Sequence, residues 1–315
     1  MTDTIIEPFQ VPNIGNTCYI SSLLVGLFYT PSSNDYILTN DITDVNGIYL
    51  QEIINQHFVR KIRESKSVSR DTMEQIRLYC SELGWKRDSP EEIFRQQDVN
   101  EFYMFLLEKL NGVQIKIQSE TITEAMTSPD DIGNETDIPY IPLALPTDAN
   151  IKEVHLKDML NSWLSDNIKE VKRKIKNDYG IIEEKTVSAL DVKHITNIPP
   201  IIAVGINRFQ NIKDENGLFK LIRNKTHVYI QKKISPFKNI NSLNRREWDF
   251  HAAICHRGET PNSGHYYTLV KDMNDNFYMF DDLKVPCMQH VQMDDRIITD
   301  LIKNECVFII YKHKI

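Results

Sequence analysis

The stretch Asn13-Ile14-Gly15-Asn16-Thr17-Cys18-Tyr19 constrains this chain most, because it delivers a thiol onto the first turn of an apolar helix. Ile20, Leu23, Leu24, Leu27 and Phe28 recur at i, i+3, i+4, i+7 and i+8, the spacing of a buried helical face, and Pro31 stops the helix. Cys18 therefore stands near a helix N-terminus, where unpaired N–H groups and the positive end of the macrodipole favour a thiolate. Gly15 and Asn16 suit a tight turn into that helix. Asn13 can fold back and aim its side-chain amide at the same space, so that a side-chain amide and a backbone N–H together form an oxyanion hole. A solitary cysteine on an amphipathic helix is more often a small buried hydrophobe, so the catalytic reading needs partners elsewhere.

Composition narrows the class. The 315 residues, 41% of them hydrophobic, suffice for one large domain or two ordinary ones. The longest apolar run, around Ile198 to Val204, contains prolines and is far too short to cross a bilayer, and the Met-Thr-Asp-Thr start lacks the regions of a signal peptide. The chain reads as soluble and intracellular, in cytoplasm, nucleus or both. Its five cysteines, Cys18, Cys80, Cys255, Cys287 and Cys306, lie at wide, irregular spacings that argue against a disulfide framework. No Cys-x-x-Cys occurs, and Cys255 and His256, adjacent on an expected strand, point to opposite faces, so no metal site and no cofactor is expected. The net charge of −7 does not suit a nucleic-acid binder and favours partners with basic surfaces or tails. One local exception is the basic run Lys169 to Lys176. There Ile168, Val171 and Ile175 recur at helical spacing, so it reads as the solvated face of a helix.

Taken in order, the first third is helical: after the Cys18 helix, Ile48 to Ile62 and Met73 to Leu83 carry helical periodicity, the latter ended by Gly84. Asp98 followed by Glu101 has the form of a capping box opening a helix through Phe102, Phe105, Leu106 and Leu110. From Val113 the period changes to short strands, interrupted by an acidic surface loop from Ser119 to Asp137. Ile138 to Pro146 reads as a strand, Val154 to Leu164 as a helix, and Lys185 to Val192 and Ile201 to Phe209 as strands. Leu218 to Ile222 and His227 to Gln231 follow the turn-rich Asp214 to Gly217. Trp248 to Cys255 then leads into a loop from Arg257 to Gly264, and Cys306 to Tyr311 closes the chain as an apolar strand.

After that loop come Gly264-His265-Tyr266, a strand, and a second strand ending in Asp281-Asp282. A histidine at the start of one hairpin strand and carboxylates at the end of the next set imidazole beside carboxylate. His265 is then the base for Cys18, and Asp281 its orienter.

At this point the chain resembles the catalytic domain of the ubiquitin-specific protease family of deubiquitinases over nearly its whole length. The resemblance rests on Asn13 to Tyr19 with Ser22-Leu23-Leu24, and on Gly264-His265-Tyr266 through Phe280-Asp281-Asp282. Between these lie Gln97-Asp98 with Glu101-Phe102, Leu143 to Pro146, and Pro199-Pro200 with Asn207-Arg208-Phe209. It implies an α+β, papain-like fold in a single catalytic domain: a helical thumb over 1–112, β fingers with parts of the palm over 113–200, and a strand-rich palm over 201–315. It implies Cys18 as nucleophile, His265 as base, Asp281 as third member with Asp282 as possible support, and Asn13 in the oxyanion hole. Asp98 and Glu101 match positions that hold the basic C-terminal tail of ubiquitin, and Phe209 and Tyr266 match channel-lining aromatics. The implied activity is thiol-dependent hydrolysis of the bond after the C-terminal glycine of ubiquitin, and the implied partner is ubiquitin or its conjugates.

Some positions depart from that pattern. The paired Cys-x-x-Cys motifs that hold zinc in many members' fingers are missing, and Trp163 to Val192 contains no cysteine. Ser21 stands where Asn is usual, Phe277 where Trp is common, and Asn207 where Lys is common. Two other functions compete with the leading one: a protease for a ubiquitin-like modifier, and a non-catalytic ubiquitin-binding module.

Overall fold

A computed structural model describes residues 9–86, 91–123, 131–165, 167–176, 179–213, 217–235, 246–261, 263–292 and 296–313. The helices come first. Helix α1 (Cys18–Phe28) is followed by α2 (Val45–Glu52), capped by Asp44, whose carboxylate accepts from the amides of Asn46 and Gly47. The expected helix from Ile48 to Ile62 is one continuous rod with a change of winding: α2 passes into a π-helical segment over Ile53–Val59 and then into α3 (Arg60–Arg63). Helix α4 (Arg70–Glu82), capped by Ser69, ends at Gly84 in the left-handed region, φ 100°. Helix α5 (Val99–Lys109) is capped by Asp98, as the sequence pattern requires. The Glu101 side chain, however, does not close a capping box but pairs with Lys86.

Sixteen strands occupy the rest of the described chain, with two helices among them. Strands β1 (Ile115–Ile122) and β2 (Thr136–Ile138) precede β3 (Ile141–Ala144) and β4 (Glu153–His155). Helix α6 (Leu156–Ser165) leads to β5 (Asn167–Lys176), β6 (Ile182–Ile195), β7 (Ile201–Asn207), β8 (Phe209–Lys213), β9 (Phe219–Arg223), β10 (His227–Tyr229) and β11 (Lys233–Ile234). Strands β12 (Trp248–Thr260), β13 (Ser263–Lys271), β14 (Phe277–Phe280) and β15 (Met288–Val291) then lead through α7 (Arg296–Glu305) to β16 (Cys306–His313). The main sheet runs β15-β14-β13-β12-β16-β7-β3, with β11 paired to β12. A separate four-stranded sheet runs β2-β1-β6-β5.

The main sheet is buried on both faces, and the strand period sorts its side chains between two cores. Ala252, Ile254, Tyr266, Val270, Phe308 and Ile310 face α1, α4 and α5. The alternating set Ala253, Cys255, Tyr267, Leu269, Ile309 and Tyr311 faces α6, α7 and the root of the four-stranded sheet. Every residue of α1 is buried, not only the stripe of Ile20, Leu23, Leu24, Leu27 and Phe28. Gly26 makes this possible, since a side chain there would press on Ile310 Cδ1 at 3.3 Å. The α+β expectation holds.

Three local expectations are corrected. The basic run is a strand, not a helix: β5 pairs with β6 over its entire length, from Asn167↔Asp191 to Lys176↔Ile182. Ile168, Val171 and Ile175 fit a helical stripe, but Val171 and Ile175 also alternate with Lys172, Lys174 and Lys176, and Ile168, 77% exposed, lies off their face. The β-branched residues favour the strand once β6 supplies a partner. The acidic loop is shorter than expected, because Ser119–Ile122 belongs to β1 and Thr136–Asp137 to β2; residues 124–130 lie outside those described, as do 214–216 of the second turn-rich stretch. The loop from Arg257 to Gly264 is largely strand: β12 continues to Thr260, which pairs with Ser263 across a tight connection. Arg223 compensates for the disorder-prone composition there, donating to the carbonyls of His256 and Gly258 at 2.8 and 2.7 Å.

The long β5–β6 hairpin carries Lys–Glu and Lys–Asp pairs in place of metal-ligating thiols. Elemental analysis of the purified protein is expected to find no stoichiometric zinc, with thermal stability unchanged by a chelator. One zinc per chain would overturn this.

Candidate active site

Gly15 and Asn16 both take left-handed backbone conformations, φ 95° and 54°, and this double turn brings Asn13 back over the start of α1. The Asn13 Oδ1 accepts from the amides of Gly15 at 3.1 Å and Thr17 at 3.4 Å. The Thr17 hydroxyl is turned away from the helix, accepting from the Ile14 amide, so no side chain caps α1. The Ile20 and Ser21 amides turn back to the Thr17 carbonyl, so the N–H groups of Cys18 and Tyr19 are the ones that no side chain caps.

The imidazole comes from the opposite side. His265 lies near the start of β13, and its Nε2 is 2.8 Å from Asp281 Oδ1, just beyond the end of β14. Thr268↔Phe280 in the β13–β14 register explains the match: the imidazole precedes Thr268 by three residues and the carboxylate follows Phe280 directly. The other ring nitrogen is left for Cys18, which interacts with the imidazole. Burial works to lower the His265 pKa. The hydrogen bonds to Asp281 and Cys18 and the attraction of both groups outweigh it, holding the imidazole up at about 10. Burial likewise works to raise the Asp281 carboxyl, but the His265 contact and the Leu283 amide hold it below its usual range. The three side chains thus favour an imidazolium at neutral pH, the form that partners a thiolate.

Asp282 does different work. It lies 3.9 Å from His265 Nε2, farther than Asp281, and its side chain has no exposure. Its Oδ1 accepts from Asn13 Nδ2 at 3.2 Å and its Oδ2 from Ser21 Oγ at 2.7 Å. It therefore supports the Asn13 amide and not primarily the imidazole. Burial raises its pKa against the opposing effects of Ser21, His265 and Asn13. His265, Asp281 and Asp282 also make the only cluster with metal-ligand proximity among the described residues. Their hydrogen bonds to one another and to Asn13 and Ser21 account for them without an ion.

Asp98, Glu101, Phe209 and Tyr266 line one cavity of about 320 Å³. Asp98 and Glu101 lie on its acidic side, at the N-terminus of α5. Phe209 meets His256 edge-on and Tyr266 lies tilted against it, at ring-centroid distances of 5.9 and 4.7 Å. His256 escaped the sequence reading as a site residue. Burial first, then the neighbouring Arg223 and His265, lower its pKa to about 4, so the ring is neutral, and Gln96 meets its Nε2 at 2.5 Å. Gln96, unexplained by helix capping, thereby ties the entry to α5 to the main sheet. The structure thus brings together Cys18, His265, Asp281, Asp282 and Asn13, and separately Asp98, Glu101, Phe209 and Tyr266. The His57 side chain is exposed on the π-helical segment and takes no part in either group.

The chain is similar to known proteins in sequence and in fold. The family model described as "Ubiquitin carboxyl-terminal hydrolase" matches residues 10–303. Among curated proteins, ubiquitin carboxyl-terminal hydrolase 17-like protein D of Mus musculus is 24% identical over 290 residues, spanning 87% of this chain and 50% of that protein. Ubiquitin carboxyl-terminal hydrolase 25 of Arabidopsis thaliana is 22% identical over 300 residues, spanning 87% and 44%. The chain thus spans half or less of the length of these relatives. Among solved structures, the SAGA Ubp8/Sgf11/Sus1/Sgf73 DUB module bound to ubiquitin aldehyde superposes with a TM-score of 0.68 at 13% identity, covering 98% of this chain and 70% of that one. A second structure of that module, bound to monoubiquitin, gives 0.69 at 14% identity, covering 98% and 69%. These likenesses establish a helical thumb, a strand-rich palm and β fingers as the fold.

Replacing Asp281 by Asn removes the charge that keeps His265 protonated. The alkaline limb of any Cys18-dependent activity is expected to move toward neutral pH by about one unit or more, and the maximal rate to fall on the order of a hundredfold or more. A pH–rate profile checks this, and an unmoved alkaline limb contradicts it.

Proposed function

We propose, because this chain belongs to the ubiquitin carboxyl-terminal hydrolase family, that it is a deubiquitinase that hydrolyses the (iso)peptide bond after the C-terminal glycine of ubiquitin. The observation that carries the reading is the 2.8 Å His265–Asp281 contact, in an imidazole that also interacts with Cys18 at the uncapped start of α1. It supplies the three things isopeptide cleavage needs: a nucleophile competent at neutral pH, an acid for the departing amine, and donors for a tetrahedral oxyanion.

In this reading the Cys18 thiolate attacks the glycine carbonyl carbon, forming the C–S bond while the carbonyl π electrons move to oxygen. The Asn13 amide and an N–H of the first α1 turn stabilise that oxyanion. As the C–N bond breaks, the His265 imidazolium gives its proton to the leaving lysine amine. Water then attacks the thioester, giving its proton to the now neutral imidazole. The C–S bond breaks, and ubiquitin leaves with a free carboxylate. Asp281 keeps the ring oriented through both halves. The acidic side of the neighbouring cavity, Asp98 and Glu101, together with the charge of −7, suits the basic tail of ubiquitin as the segment that reaches the thiol. Phe209 and Tyr266 wall the passage.

The test is hydrolysis of a fluorogenic amide of the ubiquitin C-terminus beside the same amide of a ubiquitin-like modifier. Wild type is expected to cleave the ubiquitin amide, and Cys18→Ala and His265→Ala to be inert. Asn13→Ala is expected to lower kcat by about a hundredfold while ubiquitin binding to the Cys18→Ala background stays within about twofold, as for loss of one oxyanion donor. Equal losses of binding and turnover contradict the oxyanion role. Cleavage of the other modifier alone changes the substrate.

A further inference from the structure

We propose that Ser21, one turn into α1 beneath the nucleophile, is a positioning residue for the oxyanion hole: through Asp282 it fixes the orientation of the Asn13 amide. The proposal rests on the activity proposed above and adds to it a residue that neither touches substrate nor belongs to the Cys18–His265–Asp281 set.

A serine inside a helix has a ready resting place on the carbonyls of its own preceding turn. Ser21 has that option, with Thr17 O and Cys18 O each 3.3 Å from its hydroxyl. Its single proton has a nearer acceptor in the Asp282 carboxyl oxygen Oδ2, at 2.7 Å. The contact joins two segments 261 residues apart in a fully buried setting, since Ser21 and the Asp282 side chain both have no exposure.

What the contact holds is visible at the other oxygen. Asp282 Oδ1 accepts from Asn13 Nδ2. The Asn13 carbonyl oxygen is already committed to the Gly15 and Thr17 amides. These three bonds fix which end of the amide faces the carboxylate and which faces the turn, and they leave the second N–H of Nδ2 for an oxyanion. If Asp282 rotates, Asn13 loses the acceptor that orients it. Ser21 opposes that rotation, because the Ser21 and Asn13 contacts occupy the two carboxylate oxygens from different sides. Burial raises the Asp282 pKa, and Ser21 leads the effects that oppose that rise, ahead of His265 and Asn13. A carboxylate in the ionised state accepts from both donors at once, so losing Ser21 weakens the support in both geometry and charge.

The geometry therefore predicts a dependence that packing alone does not produce. Ser21→Ala removes one oxygen from a buried site and is expected to fold normally. With the fluorogenic ubiquitin amide it is expected to lower kcat about tenfold, with KM within about twofold of wild type. The acid limb of its pH–rate profile is expected to move upward as Asp282 protonates more readily. Ser21→Thr, which keeps the hydroxyl, is expected to recover most of the rate. The decisive arm is the double variant: in the Asn13→Ala background, Ser21→Ala is expected to cost less than about twofold further, because its effect passes through an amide already removed. A full tenfold further loss in that background, or an Ser21→Ala enzyme with wild-type kcat and acid limb, overturns the proposal. Wild type inert toward the ubiquitin amide refutes the proposed function itself. Wild-type turnover with an indifferent Ser21 refutes only this inference.

Discussion

Everything at this site depends on how tightly α1 is clamped against the strand that carries His265. Gly26 lets the helix approach β12 and β16 to side-chain contact with Ala252, Ile254 and Ile310. The Thr268 hydroxyl donates to the Ser22 carbonyl at 2.9 Å, pinning the helix to β13 three residues after the imidazole. A buried bond of that kind is costly to break and leaves little freedom to slide. The thiol at the head of α1 and the imidazole near the start of β13 therefore meet through the packing of two rigid elements and not through a mobile loop. Burial of α1 on every side is what makes that end a fixed point.

From that fixed point the two adjacent carboxylates divide their labour. Asp281 faces the imidazole and keeps it charged, while Asp282, one residue on, turns into the protein to meet Asn13 and Ser21. One dipeptide at the end of β14 thus supports both the His265 imidazole and the Asn13 amide. The cis Val285–Pro286 bond lies in the segment that follows, where the Asp281 amide and the Cys287 carbonyl bond at 2.8 Å to close the turn on which both carboxylates sit. Loss of either acid is expected to be felt at a different atom of the reacting centre.

Much of this was legible in the sequence because it is local. The apolar stripe behind Cys18 needs only helical periodicity, the cap at Asp98 only a side chain beside its own backbone, and the His265–Asp281 pair only a hairpin. The misreadings are cases where local pattern supports two answers and a distant partner decides. Ile168, Val171 and Ile175 satisfy a helical stripe until β6 offers ten residues of backbone to pair with. The glycine-, proline- and serine-rich stretch from Arg257 to Gly264 reads as a loop until Arg223, from another hairpin, clamps its carbonyls. Ser21 was noticed only as a departure from a family pattern, since nothing within α1 reveals that its acceptor lies at the far end of the chain. The same holds for His256, whose neighbours Gln96, Arg223 and Tyr266 come from separate elements.

The central claim is that the Cys18 thiol, and no other, attacks the C-terminal carbonyl of ubiquitin. All five cysteines are buried, and Cys18 differs from the rest in heading an uncapped helix and interacting with the His265 imidazole. The most direct measurement is covalent trapping with ubiquitin bearing a thiol-reactive electrophile at its C-terminus, followed by mass spectrometric mapping of the adduct. The account predicts one ubiquitin per chain, attached at Cys18 and absent from Cys18→Ala. Attachment at another cysteine, or no adduct from a folded protein that still binds ubiquitin, contradicts it.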